Sequence, residues 1–243
     1  MSNAVRTDAR QGGRVGSALS GLAVALGCVL FLGGFIWGAV LYQPYTVPTD
    51  SMDPTVKAGD RVLAERIDGG EVRRGDVVVF QDSVWGSVPM VKRVVGVGGD
   101  KVACCGNQGR LTVNGKAVDE TYLKDRDPNS QPPFKATTVP QGKLFLLGDH
   151  RIDSADSRVH LTDGSHGAVP RTAVQARVDA IAWPTSSMGT LTEPSAFAPM
   201  PGGISEPGPV RALVCAIVAG AVLILGGAAY GPIARRAGRG RRP

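Results

Sequence analysis

The sequence is poor in the residues from which metal sites and histidine-based active sites are built. It contains three histidines and four cysteines in 243 residues. Cys28 and Cys215 lie inside apolar runs, where a free cysteine behaves as a small hydrophobic residue. Cys104 and Cys105 are adjacent, and three states are open to them: a vicinal disulfide, a bond to another chain, or free thiols. Because neither a CxxC pair nor a Cys/His spacing typical of a metal site occurs, the sequence predicts no metal site and no cofactor.

Two long stretches are almost without charge. Residues 20–42 contain no charged residue, and residues 210–230 contain only Arg211. Each stretch is long enough to cross a bilayer, so we predict two transmembrane helices. A cleavable signal peptide is the alternative for the first stretch, but its apolar core would be shorter and no clear A-x-A cleavage site follows. Glycines on the second stretch could mark close helix packing: Gly220, Gly226 and Gly227.

Positive charge is concentrated at the two ends of a chain whose net charge is +6. Arginine-rich tails, here residues 1–19 and 231–243, can bind nucleic acid. Their position beside the apolar stretches instead favours the positive-inside rule. The sequence therefore predicts two spans in the plasma (cell) membrane, both termini in the cytoplasm, an extracytoplasmic middle domain, and a lipid bilayer rather than nucleic acid as partner.

Residues 43–195 have the short apolar segments and turn signals of a β domain. Asn114-Gly115, between two apolar triplets, is a strong signal for a type I′ hairpin. No regular helical pattern separates the segments, which predicts a mainly β, antiparallel, folded-sheet or barrel-like domain flanked by the two transmembrane helices. Pro-rich residues 125–138 predict a surface loop, and residues 196–209 a linker. The predicted strands are 62–67, 77–80, 90–95, 111–113, 116–118, 143–147 and 174–183.

One serine lies between two prolines just after the first apolar stretch. Pro48 and Pro54 restrict the residues before them to extended conformations, which would hold Ser51 on a rigid turn. A structural turn is the simpler interpretation of this stretch alone. A serine nucleophile also needs a base to accept its proton.

Two residues could supply that base. His150 could join Ser51 in a Ser/His/Asp triad, although a polar turn residue is its simpler interpretation. Lys92 lies beside Arg93 in an apolar strand, so it points either outwards with an ordinary pKa or inwards as a neutral amine. Lowering a lysine pKa from about 10.4 to roughly 7–8 takes a shift that desolvation can supply. The carboxylates open to a triad are Asp149, Asp153 and Asp156.

The segment 148–158 alternates acids and arginines around small residues, as in a surface loop or in a salt-bridged loop that braces a site. With residues 48–55, 74–78 and 92–100 it resembles the boxes of the type I signal peptidases (leader peptidases), which are membrane-bound Ser/Lys proteases. Those boxes include P-S-x-S-M-x-P-T, K-R-x-x-G-x-x-G-D and G-D-N-R-x-x-S-x-D-S-R. This sequence carries four boxes in the family's order.

The resemblance implies a role for each matching residue. Ser51 would be the nucleophile and Lys92 the general base. Ser154 would orient the Lys92 amine, and the Thr49 hydroxyl with the Ser51 N–H would form the oxyanion hole. Met52 would lie beside the site and contact substrate or membrane. Four residues would brace the site through salt bridges: Arg93, Asp149, Asp156 and Arg158.

Two positions depart from the family pattern. Thr49 stands where the family has Ser, which keeps the hydroxyl but restricts its rotation. His150 stands where the family has Asn. The contacts that the Asn side-chain amide makes in the family are therefore changed here, and a triad that includes His150 stays an alternative.

The function implied by the resemblance is a membrane-anchored serine endopeptidase that removes signal peptides from exported preproteins with A-x-A-type cleavage sites. A processing enzyme for one class of precursor, or a self-cleaving protein, would share the chemistry. A non-catalytic β domain that binds exported chains is the alternative from another class. The intact Ser51, Lys92 and Ser154 argue against this last alternative.

Overall fold

The computed structural model describes residues 4–106, 109–127, 131–192 and 194–239, with side chains described between residues 16 and 232. The chain divides into a unit of residues 41–208 and a unit that contains two long helices. These helices are α1, Ala4–Leu41, and α2, Val210–Arg239. Their segments Gly16–Leu41 and Val210–Pro232 are long and apolar enough to cross a membrane, which confirms the prediction of two membrane-competent helices.

Two of the three glycines noted on α2 lie where that helix meets α1. A Cβ at Gly220 would come within 2.6 Å of the Phe31 backbone nitrogen. At Gly227 the backbone carbonyl accepts a 2.7 Å hydrogen bond from the Ser20 hydroxyl. Gly226 has open space around it. The close approach of α1 and α2 therefore requires glycine at position 220.

Residues 41–208 form two antiparallel sheets. The larger sheet has the order β1-β2-β11-β3-β4-β9-β10, with β12 paired to β11, and the smaller has the order β7-β6-β5-β8. The large sheet ends at β1 and β10, so it is open rather than a closed barrel. The mainly β, antiparallel prediction is confirmed in its folded-sheet form. The strands are β1 Tyr42–Thr46, β2 Arg61–Glu65, β3 Val77–Phe80, β4 Met90–Val97, β5 Lys101–Cys104, β6 Thr112–Val113, β7 Lys116–Ala117, β8 Phe134–Thr138, β9 Lys143–Leu147, β10 Ala168–Pro170, β11 Val174–Trp183 and β12 Gly189–Thr190.

Strand β3 is buried on both faces of the large sheet. Its residues Val77 and Val79 pack in one core cluster, and Val78 and Phe80 pack in another. Because successive side chains of a strand point to opposite faces, each face receives two of the four. This burial on both sides explains the continuous apolar run.

The small sheet contains the predicted hairpin and two strands that were not predicted, β5 and β8. Asn114 and Gly115 have φ of 54° and 78°, as a type I′ turn requires. Strand β8 lies within residues 125–138, which were predicted as a loop. It pairs with β5, so tertiary pairing forms a strand where the local sequence favours a loop. A disulfide joins Cys104 and Cys105.

The segment predicted as a linker, residues 196–209, packs against the β unit. Phe197 is fully buried in the cluster that contains Phe145 and Leu147. The Ser205 hydroxyl donates a 2.9 Å hydrogen bond to Asp76, and the Pro201 carbonyl accepts one of 2.6 Å from Arg74. The Pro, Gly and Ser content does not indicate a free linker here, because one aromatic residue and these polar contacts hold the segment.

We expect Phe197→Ala to destabilise the β unit by about 3–5 kcal/mol, since it removes a fully buried aromatic ring. The unfolding midpoint of the purified protein in urea would measure the loss. Met188→Ala is the matched control, because Met188 is 56% exposed. Equal midpoints for the two variants would contradict the packed position of this segment.

Candidate active site

Ser51 lies in a tight turn between β1 and β2. The turn is closed by hydrogen bonds from Asp53 N to Asp50 O, 3.0 Å, and from Val56 N to Met52 O, 3.0 Å. Ser51 itself is only 7% exposed. Backbone hydrogen bonds and buried neighbours therefore fix the position of this hydroxyl.

Met52 faces the protein interior. It is fully buried and packs in the cluster of Val56, Val62 and Val77. In this structure Met52 therefore has no exposed surface for the expected contact with substrate or membrane. Met52 instead anchors the turn to the core, because its apolar side chain has a buried surface to pack on.

Lys92 reaches the serine from strand β4. This strand runs between β3 and β9 in the large sheet, and Lys92 is paired in register with Val78. Its Nζ lies 2.7 Å from Ser51 Oγ, within hydrogen-bonding distance. The inward-facing alternative for Lys92 is the one that this structure contains.

Burial lowers the pKa of Lys92, which is 5% exposed. The carboxylates of Asp156 and Asp149 raise that pKa, and the charge of Arg158 lowers it. The net direction is downwards because desolvation has the largest effect. The amine is thereby more readily neutral than that of an exposed lysine.

The hydroxyls of Thr49 and Ser154 differ in their hydrogen bonds to Ser51 and Lys92. Thr49 Oγ1 donates a 3.3 Å hydrogen bond to Ser51 Oγ. The backbone N–H of Ser51 donates no hydrogen bond to any described residue. Ser154 Oγ is buried and has no hydrogen-bond partner among the described residues, so Ser154 makes no hydrogen bond to the Lys92 amine in this structure.

Gly148 leaves the space in which Ser154 and Ser51 approach one another. A Cβ on Gly148 would lie 2.2 Å from Ser154 Oγ and 2.5 Å from the Ser51 carbonyl oxygen. Both are too close for any side chain at position 148. Steric crowding therefore explains why the first position of the fourth box is glycine.

Two ion pairs flank the serine and lysine. Arg93 binds Asp149 through two hydrogen bonds of 2.8 and 2.7 Å. Arg158 binds Asp156 in the same two-point manner, 2.8 and 2.7 Å, and Asp156 also accepts 3.0 Å from Gly148 N. All four predicted bracing residues are thus brought together around residues 148–158.

Thr55 also belongs to the site, although no role was predicted for it from the sequence. Its hydroxyl donates a 2.5 Å hydrogen bond to Asp149 and accepts one of 3.2 Å from Arg93. Thr55 thereby ties the serine turn to the ion pair. Its place at the end of the first box was the available signal.

The histidine alternative receives no support from the geometry. Hydrogen bonds to the Ser51 hydroxyl from described residues come from Lys92 and Thr49. The His150 ring lies 3.6 Å from Asp125 and 3.9 Å from Asp153, while its backbone N–H donates 3.1 Å to the Ser51 carbonyl. Among the described residues, no group of three or more His, Cys, Asp or Glu side chains is arranged to hold a metal ion.

We expect Lys92 to titrate below about 10.4, the value of an unperturbed lysine, because burial disfavours its ammonium form. NMR of protein with isotope-labelled lysine side chains would follow the signal of the Lys92 Cε methylene, the carbon bonded to Nζ, as the pH is raised. Comparison with Lys92→Ala would assign that signal. A midpoint at or above the ordinary value would contradict a desolvated amine.

Comparison with known proteins finds similarity to signal peptidases. The family model described as signal peptidase, peptidase S26, matches residues 19–183. A probable signal peptidase I from Mycobacterium leprae is 32% identical over 204 residues, covering 60% of this chain and 70% of that protein. Signal peptidase IB from Staphylococcus aureus is 37% identical over 177 residues, covering 65% and 86%. A crystal structure of a signal peptidase I from Enterococcus faecalis aligns with 44% of this chain and 95% of its own, at 27% identity and a TM-score of 0.36.

The family model spans more than half of the chain, from α1 to the end of β11, and so includes every residue of the site described above. The chain belongs to the signal peptidase family, peptidase S26, and is a peptidase.

Proposed function

We propose that this protein is a membrane-anchored serine endopeptidase that removes N-terminal signal peptides from exported preproteins, with Ser51 as nucleophile and Lys92 as general base. The observation that carries the catalytic assignment is the 2.7 Å separation between a buried Lys92 Nζ and Ser51 Oγ. Membership of the signal peptidase family supports the substrate class.

The reaction begins with proton transfer inside this pair. Neutral Lys92 accepts the Ser51 proton as Oγ attacks the carbonyl carbon of the scissile bond. The resulting Lys92 ammonium then donates its proton to the leaving amine as the C–N bond breaks. Water, deprotonated by the same lysine, attacks the acyl-enzyme, and Ser51 leaves with a proton returned from Lys92.

The Ser51 N–H and the Thr49 hydroxyl form the oxyanion hole. The Ser51 N–H has no other partner among the described residues. Thr49 Oγ1 lies 3.3 Å from Ser51 Oγ, so rotation of its O–H towards the substrate oxygen exchanges one hydrogen bond for another. Such donors stabilise the negative charge that develops in the transition state.

Ser154 orients the Lys92 amine when the serine is acylated. Its buried hydroxyl has no partner among the described residues, and an unpaired buried hydroxyl is costly. Once Ser51 Oγ is esterified, the amine loses its present acceptor and Ser154 Oγ can replace it. Met52 supports the serine turn from the core, and the ion pairs Arg93–Asp149 and Asp156–Arg158 hold residues 148–158 against it.

Substrate binds in an extended conformation along a sheet edge, where backbone hydrogen bonds align the scissile bond. Small apolar pockets accept the alanines of an A-x-A site. No cofactor takes part in this scheme, since serine and lysine supply all the proton transfers.

The membrane arrangement follows from charge. Residues 20–42, which include the last part of α1, and residues 210–230 of α2 span the plasma membrane. The basic tails, residues 1–19 and 231–243, lie in the cytoplasm. The catalytic domain, residues 43–195, lies outside the cytoplasm, and residues 196–209 connect it to α2 while packing on it. This arrangement puts Ser51, nine residues after the first span, on the side of the membrane where translocated preproteins emerge.

We expect Ser51→Ala and Lys92→Arg each to lower cleavage of an A-x-A preprotein by at least about 10³-fold. Alanine removes the nucleophile, and a guanidinium stays protonated and cannot act as a base. The assay would measure kcat/KM with the full chain in detergent. In the wild type, kcat/KM should rise with pH as Lys92 loses its proton, with a midpoint below the ordinary lysine pKa.

His150→Ala is the control for the alternative base. Its backbone N–H, which holds the Ser51 carbonyl, remains in this variant, so cleavage should stay within about threefold of the wild type. Complete loss in a folded His150→Ala protein, or substantial cleavage by Lys92→Arg, would refute the Ser/Lys assignment.

The topology is tested by labelling single cysteines in a chain whose Cys28 and Cys215 are replaced by alanine. A membrane-impermeant maleimide should label Ser186→Cys on intact cells, because Ser186 is exposed in the domain. It should label Ser2→Cys and Arg242→Cys only after the membrane is permeabilised. Labelling of either terminus on intact cells would contradict the proposed orientation.

A further inference from the structure

Residues outside the four boxes reach the site through Arg93. This guanidinium binds Asp149 on one side, donates a 2.7 Å hydrogen bond to the Gly75 carbonyl, and contacts the serine turn through Thr55. On its other face lies the ring of Tyr122, whose centroid is 4.1 Å from the Arg93 central carbon. An aromatic face at this distance attracts a cation, and more strongly where water is excluded.

Tyr122 is itself held by a second buried ion pair. Its hydroxyl donates a 2.6 Å hydrogen bond to Glu120 Oε1. Burial raises the pKa of Tyr122, as does the nearby Glu120 carboxylate, so the phenol keeps the proton that it donates. Glu120 also binds Arg151, 3.0 Å between Nη1 and Oε2, and both residues are buried.

Arg151 connects Glu120 to residues 148–158. Its Nε donates a 3.0 Å hydrogen bond to the Gly148 carbonyl, and its own carbonyl accepts one of 2.7 Å from Arg158. Gly148 is the residue against which Ser51 and Ser154 pack. The contacts therefore form a closed circuit, with Asp149 and Arg93 on one side and Tyr122, Glu120 and Arg151 on the other.

We propose that Tyr122 is a positioning residue of the Ser/Lys site, acting through the stacked Arg93 guanidinium, with Glu120 and Arg151 holding the tyrosine in place. The proposal rests on the proposed function of Ser51 and Lys92. Tyr122 touches neither of them in the contacts described above. It fixes Arg93, the residue next to the base on β4, and Arg93 in turn holds the Asp149 segment whose next N–H binds the Ser51 carbonyl.

Loss of the ring has a consequence for the base that a general loss of stability would not have. The charged groups that act on Lys92 are Asp156, Asp149 and Arg158, and Asp149 raises the pKa of the amine. Arg93 offsets the Asp149 charge. When Arg93 is less well fixed, Asp149 acts more strongly on Lys92, so the amine should lose its proton at a higher pH.

The test compares Tyr122→Leu and Tyr122→Phe in the full chain in detergent, with an A-x-A preprotein as substrate. Tyr122→Leu should lower kcat by about tenfold or more with KM within about twofold, and should move the acid limb of kcat/KM to higher pH. Tyr122→Phe keeps the ring over Arg93, so kcat should stay within about threefold.

Phe134→Leu is the matched control. It removes an aromatic ring that, like Tyr122, packs against the cluster of Phe145 and Leu147, and that stacks on Phe145 at 5.6 Å. It should change the unfolding midpoint without moving the acid limb. If Tyr122→Leu does not fold by near-ultraviolet circular dichroism, Tyr122→Met takes its place, because methionine fills irregular gaps.

Lys92→Ala in the same assay separates the two proposals. If Lys92→Ala still cleaves, the proposed Ser/Lys function fails. If Lys92→Ala is inactive while folded Tyr122→Leu or Tyr122→Met keeps the wild-type kcat and acid limb, the Ser/Lys function stands and the positioning role of Tyr122 is overturned. A large loss in Tyr122→Phe would also overturn it, since the ring would then not be the part that matters.

Discussion

The site depends on a lysine amine held out of water beside a hydroxyl. Burial lowers the pKa of Lys92 because it disfavours the charged form of the amine. The fold supplies this burial through position: Lys92 lies on an inner strand of the large sheet, with β3 on one side and β9 on the other. The strong burial of β3 and β9 is therefore also a chemical requirement of the site.

The ion pairs follow from the same requirement. Asp149 and Asp156 both raise the pKa of Lys92, which opposes the effect of burial. Each of these carboxylates is bound at two points by an arginine, so much of its charge is offset close to its source. Buried ion pairs contribute little net stability when compared with apolar packing. Here they let acidic residues shape residues 148–158 while the pKa of Lys92 stays below its ordinary value.

The sequence was enough to predict what depends on local pattern. The Asn114-Gly115 hairpin and most strand positions follow from turn chemistry and short apolar runs. It could not decide which of Lys92 and Arg93 points inwards, because alternation assigns them to opposite faces. The structure buries both, at 5% and 2% exposure, since loops as well as sheets cover the strand. Phe197 and strand β8 were missed for a related reason: each is fixed by a partner distant in sequence, which local composition does not reveal.

The two departures from the family pattern fall where a substitution leaves the main contact intact. At position 150 the contact to the serine turn is made by the backbone N–H, which donates to the Ser51 carbonyl whatever the side chain is. The His150 ring is then free to lie near Asp125 and Asp153. At position 49 the proposed oxyanion hole uses the hydroxyl itself, and threonine retains it, 3.3 Å from Ser51 Oγ. Its β-branch limits rotation, which favours one direction for a donor that has to point at a single oxygen. The residues that replace Asn and Ser are therefore compatible with the same chemistry for different physical reasons.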